Sequence, residues 1–104
     1  MEYNTTSVIK VDSVDSSTIE LIEPFDVTLT VDKNNIMYVV YNDDFGTIGC
    51  GANLNAAMDS FIKDTEHQLK DISYYGPIDN EQQGYYNCLT RHFKLKKAIK
   101  EKKP

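Results

Sequence analysis

Four carboxylates, Asp26, Asp32, Asp43 and Asp44, fall in or beside the most strand-like part of this chain. Carboxylates that converge on one point can hold two metal ions for phosphodiester cleavage. The spacing here does not predict convergence. Asp43 and Asp44 are adjacent in a polar break, and Asp26 sits on the polar face of its strand, so solvated loop and edge acids account for all four. Cys88 and His92 stand four apart, a spacing that puts two metal ligands on one helix face. A structural zinc site needs four ligands. Only Cys50 and His67 remain to complete one, and His67 falls on the polar side of its helix. The simpler reading is a buried thiol and a helix-surface imidazole. Gly49-Cys50-Gly51 opens towards a helix but lacks the Lys and Ser/Thr of a phosphate loop and the GxGxxG spacing of a dinucleotide site. Neither cysteine carries the local signature of a Cys–His hydrolase. No catalytic residue, cofactor or metal is assigned on these grounds.

Two further groups suit contact rather than reaction. Tyr74, Tyr75, Tyr85 and Tyr86 flank a Gly-Pro break, and tyrosine, apolar with a polar tip, fits an interface or the wet rim of a small core. The run RHFKLKKAIKEKKP mixes cations with Phe93, Leu95 and Ile99. It suits phosphate contacts, but better an ordinary helix C-terminus, where cations meet the helix dipole favourably. The net charge of -5 is unevenly spread: residues 91–104 carry seven basic and one acidic residue, so +6, which leaves -11 for residues 1–90. Such a body repels nucleic acid and attracts a basic partner.

The elements that must position these groups follow from periodicity. With 104 residues, 40% hydrophobic and 26% charged, the chain is sized for one domain and one core. Met1 to Ser7 is polar and expected to fray. An N-terminal β arm, about 7–23, supplies one or two short strands and ends at Pro24. Phe25, Val27, Leu29 and Val31 alternate with Asp26, Thr28 and Thr30, the pattern of a half-buried antiparallel strand. Asp32 to Asn35 reads as a turn whose asparagines tolerate left-handed backbone, and Ile36 to Tyr41 as the returning strand. Phe45 to Gly51 is a short third strand with Ile48 and Cys50 on one side. Asn53 caps a helix from Leu54 to Asp71 whose stripe is Leu54, Ala57, Met58, Phe61, Ile62, Thr65 and Leu69. Gly76-Pro77 stops it, and a basic C-terminal helix follows over about 79–101, with Tyr86, Leu89 and Phe93 in line. The fold class is therefore α+β: a small antiparallel sheet of three to four strands, a helix packed across one face, and a second C-terminal helix. No basic-then-apolar leader opens the chain, and no apolar run spans a bilayer, so a cytoplasmic location is expected, with Cys50 and Cys88 reduced and partly buried.

The run FDVTLTVDKNNIMYVVYNDDFGTIGCGANLNAAMDSFIKD resembles the HicB-like antitoxin family. Phe45 to Gly51 stands for that family's glycine segment, and Asn53 to Met58 for the start of its helix. The resemblance covers less than half of the chain and is one of residue types. It implies a single HicB-like domain over 1–104 with a partial RNase H-like fold, and a non-catalytic protein that binds and neutralises a small basic ribonuclease toxin. Asn55 and Ala56 replace the acidic pair usual at the helix start. No helix-turn-helix or ribbon-helix-helix segment follows, which counts against DNA binding. In that picture partner contacts fall on Asp26, Thr28, Thr30, Asp43, Asp44, Tyr85 and Tyr86. The alternatives are a stand-alone interaction module or homodimer without a toxin and, further off, a metal-dependent nuclease.

Overall fold

The computed structural model describes residues 4–34 and 36–96. Its frame is a four-stranded antiparallel sheet in the order β1 (Asn4–Val11), β3 (Phe25–Asp32), β4 (Met37–Asn42), β5 (Thr47–Gly51). A long helix, α1 (Leu54–Tyr75), lies across one face, and α2 (Asn80–His92) follows. Two three-residue strands, β2 (Ile19–Leu21) and β6 (Phe93–Leu95), pair antiparallel as a separate ribbon, Ile19 opposite Leu95 and Leu21 opposite Phe93. The architecture is the α+β arrangement that periodicity predicts. No described helix is long and apolar enough to cross a membrane.

The alternation of β3 decides which face is covered. Phe25 and Val27 are buried, whereas Asp26 is exposed. Across the sheet Val27 neighbours Ile9 on β1, while Leu29 faces Val40 on β4 and Val40 in turn faces Gly49 on β5. Onto this face α1 lays Ala57, Phe61, Thr65, Leu69 and Ile72, all buried at helical spacing. Gly49 permits the close approach. A Cβ there would stand 2.1 Å from the Phe61 amide nitrogen and 2.5 Å from the Ala57 carbonyl oxygen. Phe25, Phe45 and Phe93 join edge-to-face with centroids 5.1 to 5.7 Å apart and tie the β2–β6 ribbon to the sheet.

The ends of the helices follow from local chemistry. Asn53 accepts from the Ala56 amide at 2.8 Å and Asp79 from the Gln82 amide at 2.8 Å, each satisfying an otherwise unpaired first-turn donor. Gly76, at φ 83°, closes α1 through its N–H to the Ile72 carbonyl.

Several boundaries differ from expectation. β1 starts at Asn4, inside the stretch expected to fray, because it pairs with β3 along its whole length, from Asn4 opposite Asp32 to Val11 opposite Phe25. Among the described residues of the β3–β4 turn Ile36 is left-handed, at φ 51°, and β4 begins one residue later than expected. The shared face of Ile48 and Cys50 is the exposed one, since the buried face of β5 is Thr47 and Gly49. Cys50 is accordingly exposed rather than partly buried, and Cys88 is half-buried. The C-terminal helix stops at His92 instead of running on towards 101. Phe93 leaves it with extended backbone, φ -138°, and enters β6. Of that expected helix, residues 97–101 lie outside the described residues.

Candidate interaction surface

The face of the sheet opposite α1 carries the odd-even complement of the core. Register sets Val8, Thr28, Tyr41 and Ile48 side by side in one row across all four strands, and Thr6, Thr30, Val39 and Cys50 in the next. Val8 is 69% exposed and Ile48 56% exposed, and Met37 adds a third exposed apolar side chain at the end of β4. α1 packs on the other face, while on this one Val8, Ile48 and Cys50 are exposed and Thr28, Thr30, Val39 and Tyr41 are half-buried. It combines β-branched, apolar and hydroxyl side chains. Val8 and Ile48 stand on the two edge strands with Thr28 and Tyr41 between them, so apolar and hydroxyl side chains alternate across the face.

One end of the same sheet is acidic. Asp26 precedes Thr28 on the open face of β3, and its carbonyl accepts from the Asn42 side-chain amide at 2.9 Å. That bond fixes the start of the β4–β5 turn, where Asp43 and Asp44 stand exposed. The Asn42 side chain also accepts from the Phe45 amide at 3.0 Å, which pins the turn from its other side. The Tyr85 ring of α2 packs directly over Gly46 of this turn. Its hydroxyl donates to Glu81 at 2.8 Å. That hydrogen bond is the foremost reason the phenol is held above its ordinary value; desolvation and the charges of Glu81, Asp43 and Asp79 push the same way. The electrostatic coupling places Asp43, Asp79 and Glu81 around one phenol, with Asp44 next to Asp43 in the chain.

Of the seven residues expected to meet a partner, the structure brings six to this region. Asp26, Thr28 and Thr30 share the open face of β3, Asp43 and Asp44 occupy the adjoining turn, and Tyr85 covers that turn. Tyr86 is not among them. It packs against the core, and its hydroxyl accepts from Ser73 of α1 at 3.5 Å. Tyr74 and Tyr75 lie elsewhere again, highly exposed at the end of α1, where they line a shallow groove of about 470 Å³ with Lys70, Asp71, Ser73 and Leu95. Sequence reading missed Asp79 and Glu81 as members of the acidic end. The spacing of Glu81 and Tyr85, four apart on a helix, is the signal that marks the pair.

The metal-ligand candidates separate. His92 turns Nδ1 to the Glu23 carbonyl at 2.9 Å and packs its ring edge-on against Phe25 and Phe45, so it is half-buried rather than a helix-surface imidazole. His67 and Cys50 are both exposed, on α1 and on the open face of β5. Among the described residues no three His, Cys, Asp or Glu side chains gather closely enough to hold a metal ion. Compared with protein-family models, with curated proteins and with solved structures, the chain matches none of them.

Proposed function

We propose that this chain is a non-catalytic, antitoxin-type binding protein whose partner is a small basic protein, a ribonuclease toxin in the reading that the HicB-like resemblance implies. The observation that carries the proposal is the joining of a partly exposed apolar and hydroxyl-rich sheet face to an acidic end. Ile48, Tyr41, Val8, Thr28 and Thr30 supply the first, and Asp26, Asp43, Asp44, Asp79 and Glu81 the second. Apolar contact gives such a complex its affinity, and opposed charge guides encounter and orientation. The -11 of residues 1–90 extends the same field over the molecule. DNA is not the proposed partner, because this surface is of the sign that repels phosphate.

Co-expression with the product of the adjacent gene tests the reading. The expected result is a small basic protein that co-purifies, is toxic alone and is silenced by this chain. Charge reversal at Asp26, Asp43 and Asp44 together should then slow association by roughly tenfold or more at low salt and less at high salt. If no basic protein co-purifies and no neighbour is toxic alone, the proposal fails.

A further inference from the structure

The two edges of the sheet are finished differently. On β5 the outward N–H groups are occupied: Ile48 donates to the Asp64 carboxylate at 3.0 Å, and Cys50 to the Ser60 hydroxyl at 3.3 Å. Both acceptors come from α1, which thus closes that edge against another strand. These bonds also fix the parity of the ladder, because successive residues of an antiparallel strand point their backbone groups to opposite sides. Ile48 and Cys50 point away from β4. Through the registered rows Ile48–Tyr41–Thr28–Val8 and Cys50–Val39–Thr30–Thr6, the residues of β1 that point away from β3 are Thr6, Val8 and Lys10. Among the described residues nothing hydrogen-bonds to those outward groups. The strand is eight residues long, pairs with β3 without a bulge, and contains no proline. The usual means of blunting an edge are thus limited to one lysine.

We propose that the open edge of β1 is the pairing surface of a homodimer, in which two copies join their β1 strands antiparallel about a two-fold axis at Val8. Charge selects the occupant. Lys10 is the only charged residue in NTTSVIKV. Lys10 stands opposite Asp26, and a strand from a basic partner laid along this edge would meet the like charge of Lys10, whereas Asp43 and Asp44 lie away from the edge on the β4–β5 turn. A second copy in the Val8-centred register sets each Lys10 opposite Thr6 of the other copy and away from its twin. The same register brings the two Val8 side chains, each 69% exposed in the single chain, against one another. The sheet becomes eight-stranded and continuous, and both α1 helices stay on one side with the open faces on the other. The pairing uses Val8, which also borders the face proposed for the basic partner, but sedimentation of the chain alone reads self-association with no partner present, so the two proposals fail separately.

Sedimentation of the purified full chain tests it. The wild type is expected to be a dimer in the micromolar range, and a monomer throughout that range overturns the proposal. Val8→Pro removes an N–H that points outward and leaves the β1–β3 ladder whole, a substitution an edge strand tolerates. It is expected to be monomeric with an unchanged circular dichroism spectrum, and a folded Val8→Pro dimer overturns the proposal. Should that variant not fold, Val8→Glu and Val8→Lys decide. Each is expected to self-associate roughly tenfold more weakly, because like charges then oppose one another directly where two valines had packed. An equimolar mixture of the two should associate again. Undiminished self-association of either variant, or no association on mixing, overturns the two-fold at Val8.

Discussion

Gly49 shows how much of this fold rests on the absence of one atom. The β-carbon of Gly49→Ala would press on the backbone of Phe61 and Ala57, which cannot turn aside as a side chain can. Helix and strand would have to part, at a cost of about 3 kcal/mol or more, the upper range for overpacking. Gly84 is the counter-case. It lies within α2 with nothing within 4 Å of an added β-carbon. Gly84→Ala should therefore stabilise the protein by about 0.5–1 kcal/mol through helix propensity. Urea denaturation of both variants reads the opposite signs directly. At Tyr85 the prediction concerns pH. The phenol holds its proton more tightly in the folded chain, first through Glu81. Its contribution to stability is therefore fully present below the ordinary tyrosine range and is lost as pH rises through the raised value. Glu81→Ala removes both the hydrogen bond and the charge and should lower the Tyr85 titration midpoint, followed by its ring signals in NMR. An unmoved midpoint would detach Tyr85 from the acidic end.

At the scale of elements, α1 does two jobs that can be separated. Its buried stripe holds the face of the sheet, and its Ser60 and Asp64 close the β5 edge. Asp64→Ala keeps the stripe and opens the edge. The Ile48 amide should then exchange with solvent markedly faster while amides in the middle of α1 change little. Global stability should fall by about 1–2 kcal/mol, as for removal of a hydrogen bond to a charged group at a partly exposed site. How far these elements are legible in the sequence follows from the range of the interactions that make them. The β3–β4 hairpin, β5 and α1 are written in local periodicity, and the caps Asn53 and Asp79 stand at the ends of the runs they close. Thr28 and Thr30 fall on the open face because alternation alone assigns them there. The β2–β6 ribbon is not written locally. Each strand has three residues, and Ile19 meets Leu95 across most of the chain. Phe93 continues the helical stripe of Tyr86 and Leu89, yet it also alternates with Leu95, and tertiary pairing with Leu21 chooses the second pattern. Tyr86 falls on the stripe it shares with Leu89 and packs against the core, and its hydroxyl reaches Ser73 of α1.

For the molecule as a whole, the charge that suits a basic partner should weigh against folding. Residues 1–90 carry -11. Lys94 and Glu20 pair at 4.0 Å with both side chains more than half exposed, so that pair offsets little of the repulsion. Crowding of like charge disfavours the compact state, and screening relieves it. Sodium chloride should therefore raise the thermal midpoint as ionic strength increases from about 0.01 to 0.15 M, over which the screening length shrinks from about 30 to 8 Å. A protein held by surface ion pairs would respond with the opposite sign. Sulfate must be kept out of this comparison, because its exclusion from protein surface stabilises most folds whatever their charge. Asp43→Lys separates local from global repulsion. Placed among Asp44, Asp79 and Glu81, the new cation should raise the midpoint at low salt and flatten its rise with salt. The same substitution should weaken capture of a basic partner. A variant more stable than the wild type yet poorer at binding would show that the acidic end is kept for contact at the expense of the fold. A low-salt midpoint unchanged by Asp43→Lys would mean that these carboxylates are too well solvated to repel one another.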